Sequence, residues 1–142
     1  MTLTGFSWWA FLIGSIFTFV SAAIWFGPKT FYPVWIKAKG MEAPTRETAS
    51  SPLYMFGGTI ASVLVEVFSV GYVVNSIQSH QPNVGIIDGA GIGLVLGLGI
   101  AAFNSLPHRL FSMDSYKVWI IECTNDVLNF MVVAAIFAYM NQ

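Results

Sequence analysis

Six small residues recur at a strict four-residue interval through one apolar stretch: Gly85, Gly89, Gly93, Gly97, Ala101 and Ser105. On a helix this interval stacks them into one smooth groove, which lets a neighbouring backbone approach closely. In water, glycine disfavours a helix interior by roughly 1 kcal/mol per residue relative to alanine. A helix with glycines in this register therefore belongs in a bilayer, where close packing is what holds helices together. Composition agrees. Of 142 residues, 56% are hydrophobic and 9% charged, against about 25% charged in soluble domains, and the mean hydropathy is +0.69. The chain reads as an all-α, polytopic membrane protein: a four-transmembrane-helix bundle forming a single membrane domain over residues 1–142. Its net charge of −1 excludes the basic surface that nucleic-acid binding requires, so the lipid bilayer is the first partner to expect.

Four apolar segments, about 7–26, 53–77, 85–106 and 117–140, each come near the roughly 20 residues that cross the hydrocarbon. The first has no basic flank and no clean small-residue cleavage site, so it is expected to be retained rather than removed as a signal peptide. Lys29, Lys37, Lys39 and Arg46 fall in the long first loop, 27–52, while Arg109 and Lys117 flank the third. The positive-inside rule then puts loops one and three on the cytoplasmic side and both termini outside. Within loop one, Trp25, Pro28, Phe31, Trp35 and Lys37 form an interfacial anchor. Pro28 cannot continue the helix, and rings and lysine stems suit headgroup depth. The later part, 43–52, is polar and reads as a mobile connector. The one cysteine, Cys123, has no partner for an internal disulfide.

Polar groups interrupt the spans. Glu66 falls near the middle of the second, and Glu122, Asn125, Asp126 and Asn129 occupy one stripe of the fourth at offsets of zero, three, four and seven. Asn104, near the inner end of the third span, is placed to join Glu122. Asp88 falls in the first turn of the third span, where it suits a cap. An acid at mid-bilayer costs about 2.5–3.5 kcal/mol on insertion scales, and no basic residue is deep enough to neutralise Glu66 or Asp126; Arg109 or Lys117 can reach only Glu122. Protonation, a bound cation, or polar groups of another subunit each resolve the difficulty. No metal site is expected, because no histidine follows a glutamate by three residues and His80 and His108 fall in loops on opposite sides. No nucleophilic set converges, and the third-span glycines lack the Gly-x-x-x-x-Gly-Lys signature, so neither a catalytic residue nor a cofactor is expected.

Trp25-Phe26-Gly27-Pro28-Lys29-Thr30-Phe31, followed by Trp35-Ile36-Lys37 and Gly40, resembles the segment closing the first span in small membrane proteins catalogued as domain of unknown function 1761. The glycine-rich third span, Asn104, a short basic loop and an aromatic-led fourth span extend the resemblance over nearly the whole chain. It implies four helices and no established activity. Tyr32-Pro33 stands where that pattern usually has Gly-Lys, and Glu122 replaces a more typical Asn, so the acidity of the fourth span is not inherited from it.

Packing grammar thus outweighs catalytic grammar. The expected function is a structural or accessory membrane component, a homo-oligomer or a small subunit of a larger complex. Its fourth-span stripe would face the partner, so that Asp126→Leu would disrupt assembly. The glycine ladder would pack either between copies or within the chain, against Gly57-Ala61 and Gly14-Thr18-Ala22. The alternatives are a small transporter or proton-coupled carrier using Glu66 and Asp126, an oligomeric pore, and an enzyme using the carboxylates with a metal.

Overall fold

Ser7 starts the first helix, its hydroxyl accepting from the Ala10 N–H at 3.2 Å. This helix, α1, runs Trp8–Trp25. Pro28 has no N–H with which to extend it, and the Thr30 hydroxyl lies 2.8 and 3.1 Å from the carbonyls of Trp25 and Gly27, which also accept the backbone N–H groups of Phe31 and Thr30. A short helix α2, Tyr32–Ala38, follows in the aromatic and basic part of loop one. α3, Pro52–Gln78, begins on a proline, whose missing N–H is harmless in a first turn. α4, Ile86–Leu96, is capped by Asp88, whose carboxylate accepts from the Gly85 N–H at 3.1 Å. A π-helical turn, Gly97–Ala102, leads into α5, Phe103–Phe111, and α6, Tyr116–Met140, closes the fold. The computed structural model describes residues 3–42 and 51–141, and among them there is no strand. Arg46 and the polar stretch 43–50 of loop one lie outside the described residues.

Four helices are long and apolar enough to cross a membrane: Trp8–Trp25, Pro52–Gln78, Ile86–Phe111 and Tyr116–Met140. Hydrogen bonds between them fix the topology. The Ser7 N–H donates to Asn141 Oδ1 at 3.0 Å, and the Trp25 indole donates to the Ile121 carbonyl at 2.9 Å, so α1 and α6 are antiparallel. Gln78 Nε2 donates to the carbonyls of Val84 and Ala138 at 3.0 and 2.9 Å, tying the end of α3 to the end of α6. Up-down alternation therefore gathers the described lysines and arginines at one end, the basic end, opposite the end that holds the termini.

α6 is the central helix and packs most extensively against α4. The core lies toward the terminal end, where Phe6, Val70, Val74 and Ala138 surround a fully buried Phe137. The Phe6 and Phe137 rings meet at 5.1 Å, and Gly71 of α3 leaves the space that Phe137 fills. Toward the basic end the bundle loosens. Every residue of α3 from Pro52 to Ser62 is exposed, and its buried positions begin at Val63.

The third span runs to Phe111 rather than stopping near 106. Pro107 is accommodated inside α5, and His108 and Arg109 occupy the last turn, where cations favourably meet the carbonyl end of a helix. Met113, with φ of 57°, then turns the chain into α6.

Candidate functional site

The small-residue ladder faces α6 for three rungs. A Cβ added at Gly89 would come within 2.5 Å of Ala138 Cβ and 2.8 Å of the Ala134 carbonyl oxygen. At Gly93 it would strike the Phe130 carbonyl, and at Gly97 it would lie 2.9 Å from Val127 Cα. Gly85 is the N-cap and faces open space. Past Gly97 the register changes, because the π-helical turn takes an extra residue and rotates the following face. Ala102, 1% exposed, is the next deeply buried small residue, while Ala101 and Ser105 are half-buried. The Ala102 carbonyl accepts from the Trp119 indole at 2.9 Å and from the Ser105 hydroxyl at 2.8 Å, which closes the far end of the seam. The ladder is thus received by α6, not by the small faces expected to take it. Gly14 instead packs on Val67 and Val133, and Gly57 meets nothing.

The fourth-span stripe also turns inward. Asn125 and Asn129 are 3% and 2% exposed, and the Ser21 hydroxyl of α1 donates to Asn125 Oδ1 at 3.3 Å. Asn129 Oδ1 is buried without a hydrogen-bond partner among the described residues. Glu122, one turn nearer the basic end, is held on two sides. The Trp35 indole N–H donates to Oε1 at 2.9 Å, and Arg109 Nη2 meets Oε2 at 2.7 Å. Arg109 Nη1 also reaches Asp114 at 3.3 Å. The extension of α5 through Pro107 brings Arg109 there, so Glu122 has a counter-charge within the chain, and the absence of one no longer argues that the stripe faces a partner. Asn104 does not join this group; it is exposed, since the same π-helical turn rotates it away.

Two of the residues expected to anchor the chain at the interface, Trp25 and Trp35, are ties to α6. The Trp25 indole donates to the Ile121 carbonyl, and its ring packs at a tilt against Phe31 with centroids 4.4 Å apart. Trp35 bonds Glu122, and the Lys39 ammonium lies 4.9 Å from the Trp35 ring centroid. Pro28 lies in the turn before α2, and Lys37 is exposed in its last turn. The signal that could have found the Trp35 bond is chemical: an indole N–H beside apolar surface needs an acceptor, and Glu122 is the acid at matching depth.

Asp126, half-buried one turn beyond Glu122, is close enough to interact electrostatically with Glu122 and Arg109 as well as with Glu66 across on α3. Glu66 itself accepts no hydrogen bond and meets no cation among the described residues. It borders a crevice of about 570 Å³ between α3 and the third span. Three carboxyl groups therefore descend from the basic end toward mid-span, and charge compensation fades along them. Glu122 has a direct ion pair with Arg109, Asp126 feels that cation only at longer range, and Glu66 meets none among the described residues. No group of three or more His, Cys, Asp or Glu side chains among the described residues could hold a metal ion.

A family model described as Protein of unknown function (DUF1761) matches residues 9–138. No curated protein and no solved structure matches the chain.

Proposed function

The chain belongs to the DUF1761 family, and from that premise we propose that it is a structural or accessory component of membrane assemblies, acting as a homo-oligomer or as a small subunit of a larger complex. The observation that carries this is the bare end of α3. Gly89, Gly93 and Gly97 are used up inside the bundle, whereas every residue from Pro52 to Ser62 is exposed, and a Cβ at Gly57 or Gly58 would meet no atom within 4 Å. With Ala61 one turn on, these glycines give a small-residue face on which a further transmembrane helix can approach closely. On its other side α3 diverges from α1, leaving a groove of about 210 Å³ lined by Phe19, Val20, Ile60 and Leu64. Gly57→Leu should roughen that face and weaken association by roughly five- to 150-fold, the scale of a 1–3 kcal/mol overpacking penalty. The mass of the complex in mild detergent reads this directly. Wild type should run as an assembly and the variant toward the monomer, while a wild-type monomer carrying no other protein would overturn the proposal.

A second function, a small proton-coupled carrier, is favoured by the descending carboxyl groups Glu122, Asp126 and Glu66. Glu66→Gln should then abolish flux driven by a pH gradient in proteoliposomes, and wild type without such flux would remove this function.

A further inference from the structure

Glu66 combines three properties found at no other acid of the described chain. It lies near the middle of a 27-residue span, about 20 Å of helix from either end. Its carboxyl group has no hydrogen bond or ion pair among the described residues, while that of Asp126 adds repulsion when both are ionised. It also opens into a defined space, the crevice of about 570 Å³ whose other walls are Val65, Val70, Leu96, Ile100 and Phe130. The hydroxyl of Ser69, on the same wall, is already committed to the Val65 carbonyl at 2.7 Å. Apart from Glu66 and the hydroxyls of Ser62 and Ser69, the lining is apolar.

We propose that this crevice binds a lipophilic organic cation, a single positive centre on an apolar body, with the Glu66 carboxylate as counter-ion. A volume in the hundreds of cubic ångströms, apolar walls and one placed charge are the attributes of a small-molecule site, entered here sideways from the bilayer between α3 and the third span. Other occupants fit the chemistry less well. A second copy brings no cation to this depth, because none of the six lysines and arginines of the sequence lies in the middle of a span. A phospholipid holds its charge at headgroup level, so only its tails reach Glu66. A bare metal ion needs several oxygen or nitrogen ligands, and no cluster of three such acidic, histidine or cysteine side chains exists among the described residues. An organic cation needs no ligand shell. It is content with apolar contact and one carboxylate, and it relieves the repulsion between Glu66 and Asp126.

The test is titration calorimetry of the full chain in phosphatidylcholine nanodiscs holding one copy each, with tetraphenylphosphonium as the probe. Saturable one-to-one binding is expected, weakened at least about tenfold in Glu66→Gln, the scale of a lost charge-assisted contact. Asp88→Asn, which keeps the cap at the far end of the third span, should bind as wild type does. Ala61→Phe, which narrows the crevice and leaves Glu66 in place, should weaken binding comparably and carries the test if Glu66→Gln fails to fold. Tetraphenylborate, of the same shape and opposite charge, should not saturate the site. Equal binding by wild type, Glu66→Gln and Ala61→Phe, equal binding of the borate, or no saturation above that of protein-free nanodiscs would each overturn the proposal. Because binding is measured on single copies, its failure leaves assembly untouched, and a failure to assemble leaves binding untouched.

Discussion

Gly93→Leu should leave no folded bundle. A side chain at this position is directed at the backbone of α6, against the Phe130 carbonyl and Met131 Cα, 2.6 Å from the latter. Backbone in the middle of a helix cannot rotate aside as a side chain can, so the two helices must part along the seam that joins α4 to the central helix. Ordinary overpacking of a core costs about 1–3 kcal/mol. With backbone on the far side and the loss shared by the neighbouring rungs Gly89 and Gly97, the expected destabilisation exceeds about 3 kcal/mol, a large fraction of the stability of a small domain. Burial of apolar area does not offset it, because lipid solvates a leucine as well as the protein interior does. Gly99→Leu is the matched control. It changes the same residue type in the same span, but a Cβ there meets nothing within 4 Å and the position is exposed, so its effect should stay within about 0.5 kcal/mol. Unfolding by a denaturing detergent in mixed micelles, followed by tryptophan fluorescence, separates the two; equal stability of both variants would mean that the α4 to α6 seam is not what holds the fold.

The same seam shows what was legible in the sequence. A four-residue interval of small residues states that a helix packs closely, and Gly89, Gly93 and Gly97 lie against another backbone. The interval does not name the receiving helix. That depends on which span is central, and α6 takes the position, with its own Ala134 and Ala138 against Gly89. The interval also assumes an uninterrupted helix. The π-helical turn at Gly97–Ala102 breaks that assumption, so the buried register passes to Ala102 and Asn104 rotates outward. Offsets of zero, three, four and seven likewise gave the polar stripe of α6 its common face, yet which way the face looks is a tertiary fact. Asn125 and Asn129 are buried within the chain, while Glu66 borders the crevice between α3 and the third span. Trp35 was legible as an aromatic at interface depth but not as a donor to Glu122, because the two are 87 positions apart and meet only once α2 folds back on α6.

Removing Arg109 should expose how Glu122 is tolerated. In Arg109→Met, Glu122 loses its 2.7 Å ion pair and keeps only the Trp35 N–H, while Asp114 loses its partner at 3.3 Å. Exposed pairs contribute up to about 1 kcal/mol, whereas stranding one member of a buried pair costs about 3–5 kcal/mol. The Arg109 and Glu122 side chains are 33% and 19% exposed, which places this pair between the two, at about 2 kcal/mol. Glu122→Gln should cost under about 1 kcal/mol, because an amide oxygen still accepts from Trp35 and Arg109 still has Asp114. The informative variant is the double one. With the acid already neutral, adding Arg109→Met strands only Asp114, near the end of the helix, so the double variant should be more stable than Arg109→Met alone. Detergent unfolding of the four proteins gives the coupling directly. A positive coupling means that the acid nearest the basic end is satisfied inside the chain, which leaves Asp126 and above all Glu66 as the carboxyl groups free to meet something from outside. Simple additivity would mean that the pair contributes nothing, and Glu122 would then return to the set that a partner has to neutralise.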